Sequence, residues 1–286
     1  MEARKEEFLC AVNQLKSTLY SAATVYKVRA SQMHGIRIAT YIMPHLQELI
    51  QQKTILAESR KRGISMSKEN KDRSGCRDVF HAYFVKDAVF DGELEIPVID
   101  RETELPDRMI SFSDSLRTDD FDQWVHFYED DSNFERLWNR PRVYLPRLKK
   151  FKGVISPDFS LYRDMPLVMQ VWNTYRNRAT GHWIQSNGIR VIPNVRWADS
   201  RSYEFCCLGV RKHSPIAIGS HGLIRIKNER IHFEAGLEYV VRYLHPSVII
   251  VYGSAPKDIF SRYEEAGIKI IVFPSDISKV MKRGDD

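Results

Sequence analysis

Cysteine is scarce in this chain. The four present, Cys10, Cys76, Cys206 and Cys207, have no metal-ligand spacing. Adjacent cysteines such as Cys206 and Cys207 rarely bridge each other, so a disulfide framework is not expected and a reducing cytosol fits best. Long apolar runs are missing too. No stretch of roughly 18 apolar residues occurs, so no membrane span is expected. The charged start Met1-Glu-Ala-Arg-Lys-Glu-Glu7 lacks the apolar core of a signal peptide. Also absent are a glycine-rich loop ending in Lys-Ser/Thr, Gly-x-Gly-x-x-Gly, Gly-x-Ser-x-Gly and His-Glu-x-x-His. These absences remove the nucleotide-loop, dinucleotide-binding, hydrolase-elbow and zinc-protease signatures. No particular cofactor is implied, and no metal set is read. The expected location is the cytoplasm.

What is present suffices for a folded core. Hydrophobic residues make up 43% of the 286 and aromatics 11%, which excludes compositional disorder. The net charge is +6 and uneven. Arg60, Lys61, Arg62, Lys68, Lys71, Arg73 and Arg77 crowd one stretch. Arg140, Arg142, Arg147, Lys149, Lys150 and Lys152 crowd another, and the chain from Asp114 to Glu135 between them is acidic. Such stretches serve either as solvated surface or as phosphate contacts, and both readings stay open.

The strongest pattern lies in the second half. Five short apolar runs each end in polar residues: Gly153-Val-Ile-Ser156, Gly188-Ile-Arg-Val-Ile-Pro193, Pro215-Ile-Ala-Ile-Gly219, Ser247-Val-Ile-Ile-Val251 and Ile268-Lys-Ile-Ile-Val-Phe273. Helical patterns fill most of the gaps, over residues 166–185, 231–244 and 258–265. Alternating strand and helix predicts an α/β domain at residues 151–286, with a mainly parallel sheet of four to five strands flanked by helices. Ligands in such sheets bind beyond the carboxyl ends of the strands.

The first half reads differently. Phe8, Leu9, Val12, Leu15, Leu19 and Ala22 recur at helical spacing, and residues 36–56 make a second helical stretch. Residues 1–58 are therefore expected to form an N-terminal helical arm, and residues 59–77 a basic linker or loop. Residues 78–150 read as a small mixed α+β region. It opens with a β element, a hairpin of His81-Ala-Tyr-Phe-Val85 and Leu94-Glu-Ile-Pro-Val-Ile99 around Asp91-Gly92.

Several stretches carry a family resemblance. They are Trp124-Val-His-Phe-Tyr128, Phe151-Lys-Gly-Val-Ile-Ser-Pro-Asp-Phe-Ser-Leu-Tyr-Arg-Asp-Met-Pro166, Gln170-Val-Trp-Asn-Thr-Tyr-Arg-Asn-Arg178, Gly188-Ile-Arg-Val-Ile-Pro-Asn-Val-Arg-Trp197 and Ile250-Val-Tyr-Gly-Ser254. Across them the chain resembles the domain of unknown function 4417, found in phages and bacterial mobile elements. The resemblance implies a phage or mobile-element origin and no particular activity.

The candidate ligand-binding residues are Asp158, Asn173, Arg176, Arg178, Asn194, Arg196 and His221. Asp158, Asn194, Arg196 and His221 follow strands, while Asn173, Arg176 and Arg178 lie on the helix after the first run. Arginine forks suit phosphate or carboxylate. Each residue also has a plain alternative. Asp158 can cap a turn, Arg176 and Arg178 can pair with Asp158, Asp164 or Asp199, and Asn194 and Arg196 can bond loop backbone. Ser220 and His221 are no dyad by themselves, because adjacent residues on an extended chain point apart. Trp172, Trp183 and Trp197 serve either as stacking platforms or as core.

Two functions are consistent with this pattern. The first is a phage- or mobile-element-encoded interaction protein that binds and inhibits a host defence enzyme, with a host protein or a second copy of the chain as partner. The second is a nucleic-acid- or phosphate-ligand-binding protein, with a divalent-metal nuclease as its enzymatic form.

Overall fold

The computed structural model describes residue 78 and residues 80–275. The expected arm at residues 1–58 and linker at residues 59–77 lie outside them. The first two strands, β1 (Phe90–Asp91) and β2 (Ile96–Pro97), form an antiparallel pair with Asp91 opposite Ile96. Gly92 follows β1 at φ 68°, a left-handed turn position that suits glycine. The expected first hairpin strand is replaced by a 3-10 helix, Ala82–Val85. The reason is burial. Phe84 and Val85 are adjacent and both buried, whereas a strand sends neighbours to opposite faces. The helical turn stacks the Phe84 ring 4.7 Å from Trp183 and sets it 5.6 Å from Trp138.

The main sheet begins with β3 (Met109–Ser111), β4 (Trp124–His126), β5 (Gly153–Ile155) and β6 (Val191–Ile192), all parallel and adjacent in that order. A second parallel ladder follows from β7 (Ile216–Gly219), β8 (Val248–Tyr252) and β9 (Lys269–Phe273). A parallel bridge at Asn194 and Ala217 joins the two ladders. Val195 N–H donates to the Ala217 carbonyl at 2.8 Å, and Ala217 N–H donates to the Pro193 carbonyl at 2.9 Å. Seven parallel strands therefore run side by side in chain order. All five expected strands are present and parallel. β3 and β4 extend the same sheet back across residue 150.

Helices occupy the connections: α1 (Phe112–Ser115) after β3, α2 (Asp131–Asn139) and α3 (Pro141–Leu148) after β4, and α4 (Leu167–Ser186) after β5. The short α5 (Tyr203–Cys206), α6 (Lys227–Leu244) and α7 (Lys257–Glu265) follow β6, β7 and β8. A sheet wound in strict chain order never reverses direction, so right-handed crossovers leave all the helices on one face. The other face has only itself to pack against, and the sheet rolls. β4 and β8 are four strand intervals apart, roughly 19 Å in a flat sheet. Yet the His126 and Tyr252 rings are 4.5 Å apart, and Tyr128 stacks on Tyr252 at 4.7 Å. This is the winding of a (β/α) barrel.

Alternation along the strands sorts the core. Val125, Val154 and Val191 face the helices in one cluster, and Ile216, Ile218, Ile249 and Val251 do so in another. Trp124, Ile155, Ile192, Ala217, Val248 and Ile250 meet inside the roll, with Met109, Ile271 and Phe273 beside them. Gly153 makes room for Trp124: a Cβ there would lie 2.5 Å from the indole ring. Gly153→Ala is accordingly expected to cost about 1–3 kcal/mol by overpacking the roll. Chemical denaturation with an unchanged m-value would read it directly.

Candidate ligand site at the mouth of the rolled sheet

The carboxyl ends of the strands set their polar residues around one rim. Asp158 stands three residues past β5, Asn194 two past β6, and Arg196 two residues further on. Asn194 Nδ2 donates to Asp158 Oδ1 at 2.7 Å. Arg196 Nη1 donates to Asp158 Oδ2, forming an ion pair. Tyr128, from the end of β4, donates its hydroxyl to Asn194 Oδ1 at 2.9 Å. His126 Nδ1 accepts the Tyr128 N–H at 3.2 Å. Tyr252 completes the aromatic part of the rim from β8.

Asn194 is fully used. Its backbone N–H donates to Ser156 Oγ at 2.8 Å. Its carbonyl accepts from Arg178 Nη1 at 2.8 Å and Asn177 Nδ2 at 3.2 Å. Beneath it lies Arg178, 1% exposed. Arg178 donates to Asn177 Oδ1 and to the carbonyls of Asn194, Leu208 and Cys206, all within 2.6–2.9 Å. Burial lowers its guanidinium to about 10, so at neutral pH it keeps its charge. No described carboxylate pairs with it directly. Cys206 and Cys207 are free, buried thiols with their sulfurs 3.8 Å apart.

The other candidates divide by position. Arg176 forms a two-oxygen pair with Glu135 at 2.7 and 2.8 Å and lies 3.9 Å over the Phe159 ring. Its acidic partner is thus Glu135, on α2, and not Asp158, Asp164 or Asp199. Asn173 accepts from Arg176 and donates to the Ser160 carbonyl at 2.6 Å. Asn173, Thr174, Asn177, Arg178 and Arg196 surround a small cavity, about one water molecule in size. Four of the seven, Asp158, Arg178, Asn194 and Arg196, are therefore joined by hydrogen bonds, while Asn173 lines the same cavity and bonds to Arg176. His221 is exposed on the loop after β7. Its neighbour Ser220 is buried and donates to the Ser254 carbonyl at 2.7 Å. Asp199 caps the short helix Ser200–Ser202 and pairs with Arg201. Trp183 and Trp197 are core, while Trp172 is 38% exposed and stacks on Tyr175.

Several carboxylates act on the two arginines. Asp158 pairs with Arg196, Asp131 acts on both members of that pair, and Asp91 acts on Arg178. Burial pushes the Asp158 carboxyl above its ordinary value, with Arg196 and Asn194 opposing. Burial pushes the Tyr128 phenol well up, and the Asp158 charge adds to that. Burial pulls Arg196 down, but Asp158, Tyr162 and Asp131 together more than offset it, so Arg196 stays charged. Arg196 keeps 28% of its side chain exposed and Asp158 only 8%. Among the described residues, Nη1 alone of the Arg196 guanidinium meets a protein acceptor. Among them, no group of three or more His, Cys, Asp or Glu side chains can hold a metal ion.

The same rim segments carry the family signal. A family model for the domain of unknown function DUF4417 matches residues 88–274. The chain belongs to this family. Two curated relatives are each called "Gene 1 protein". One, from Mycobacterium phage D29, is 39% identical over 129 residues, covering 45% of this chain and 48% of the relative. The other, from Mycobacterium phage L5, is 38% identical over 129 residues, covering 45% and 56%. The chain thus spans about half the length of the curated relatives it matches. No solved structure matches it. The DUF4417 match takes in every strand from β1 to β9, so the rolled sheet and its rim are the family's domain.

His126, Tyr128 and Tyr252 were not legible as site residues in the sequence. Their signal was polar aromatics at alternate positions running off a strand end, which reads equally as ordinary core.

Two expectations follow. Arg178→Met should cost about 3–5 kcal/mol, because it removes a charge-assisted donor from three buried carbonyls, and Arg178→Lys should not rescue it, for want of a planar fork. Denaturant melts of both variants check this. A carboxyl raised on folding stabilises the fold most in acid. That contribution fades as pH climbs from the ordinary value of about 4 through the raised one. The melting temperature of the wild type, relative to Asp158→Asn, should therefore fall over that window.

Proposed function

We propose that this chain is a phage-type ligand-binding protein that takes a small phosphate-bearing molecule at the mouth of its rolled sheet. The observation that carries the reading is the Arg196 guanidinium. It sits past a strand's carboxyl end and is partly open to solvent, with only one nitrogen engaged among the described residues. Ligands of parallel sheets bind on that side, and arginine forks match phosphate oxygens. Arg178 adds a second positive charge below.

Extended nucleic acid has less support as the ligand. Much of the basic stretch from Arg140 to Lys152 is engaged within the protein. Arg147 donates to the carbonyls of Ser115 and Thr118, Lys152 pairs with Asp107 and Asp122, and Arg142 lies over Tyr83. A metal nuclease would need convergent carboxylates, and among the described residues Asp158 is the one carboxylate that bonds to the other rim residues.

A second reading is a phage protein that binds and inhibits a host defence enzyme. The exposed apolar turn Leu167, Val168 and Met169 at the start of α4 favours a protein contact, and the phage origin of both relatives fits it. The two readings separate in one comparison. Nucleoside phosphates should raise the melting temperature of the wild-type protein by mass action, and Arg196→Gln should lose about 2 kcal/mol or more of that binding. Val168→Asp should leave it unchanged. Ligand-independent capture of a host enzyme, lost with Val168→Asp and kept with Arg196→Gln, would favour the second reading.

A further inference from the structure

We propose that Asp158 is a built-in competitor, a carboxylate that occupies the anion position on Arg196 until a small phosphate compound displaces it. The inference rests on the rim being the ligand site and adds how that site is regulated. Three observations support it. First, the Asp158–Arg196 pair is the one direct ion pair on the rim, and it engages a single Arg196 nitrogen while the rest of the fork has no described protein acceptor. Second, the small cavity beside that fork is lined by Asn173, Thr174, Asn177, Arg178 and Arg196 together with Phe159 and Leu161, and by no carboxylate. Third, the buried Arg178 beside it bonds directly only to neutral acceptors.

Asp158 itself has an alternative partner. Its Oδ1 is held by the Asn194 amide, so losing Arg196 would leave it one hydrogen bond and not none. Gly219 borders the same carboxylate: a Cβ there would lie 3.9 Å from Oδ2 and 3.2 Å from the Tyr128 ring.

The test is titration of inorganic phosphate into the full-length protein by calorimetry, comparing wild type, Asp158→Ala, Asp158→Ser and Arg196→Gln. Removing a like charge about 4 Å from the incoming anion should tighten binding by roughly tenfold or more. Asp158→Ala and Asp158→Ser are thus expected to bind phosphate at least about tenfold more tightly than wild type, and Arg196→Gln to lose it. Folded Asp158 variants, by circular dichroism, that bind no tighter than wild type would overturn the proposal. If Arg196→Gln still abolished their binding, the ligand-site reading would survive. Phosphate binding that persists unchanged in Arg196→Gln, or is absent from all four proteins, would overturn both. If neither Asp158 variant folds, arginine side-chain NMR of the wild type replaces them. The Arg196 guanidinium signals must shift at saturating phosphate, and unchanged signals would overturn the proposal.

Discussion

Everything at the rim hangs on one asparagine. Asn194 sits at the bridge that joins the two parallel ladders, and each of its polar groups is committed. Its backbone N–H and carbonyl tie the end of β6 to Ser156 on β5 and to Asn177 and Arg178 on α4. Its side chain passes the connection to Tyr128 on one side and Asp158 on the other. A buried network of this kind is stable only when every member is satisfied, because an unpaired polar group in a low-dielectric interior is costly. The same residue therefore closes the sheet and orients the candidate site.

Arg178 is the second constraint, and its role is structural. A planar fork with five donors can collect carbonyls from several segments at once. Here it gathers those of Asn194, Cys206 and Leu208, stretches that lack regular ladder partners. The charge that this arrangement leaves in the interior bonds directly only to neutral acceptors. The division of labour is clear in the exposures: the buried arginine holds the backbone, and the half-open one, Arg196, meets solvent.

Rolling the sheet has a further consequence for chemistry. In a flat sheet, groups at the ends of β4 and β8 would be far apart. In the roll, His126, Tyr128 and Tyr252 touch across the mouth. Side chains from β4, β5, β6 and β8 thus share one rim, which is what lets (β/α) barrels assemble sites from residues distant in sequence. Fold alone does not name a function. The argument for a ligand rests on the charges and open donors at that rim.

Local pattern was enough to locate the five later strands, the three long helices and the strand-end positions of Asp158, Asn194 and Arg196. Those follow from apolar periodicity and turn residues, which act over a few neighbours. The 3-10 turn at Ala82–Val85 was not legible, because an apolar aromatic run suits a strand until Trp138 and Trp183 are known to need Phe84. β3 and β4 were missed because three-residue strands carry too little alternation to distinguish them from loop. Nor could spacing assign the arginines: Arg176 and Arg178 are two residues apart, yet one faces Glu135 and the other four buried acceptors. The sequence by itself determined an alternating α/β chain with polar strand ends. Only the tertiary structure decided that the sheet rolls and that its distant ends meet, because rolling depends on which strands become neighbours, a property of the whole winding and not of any one segment.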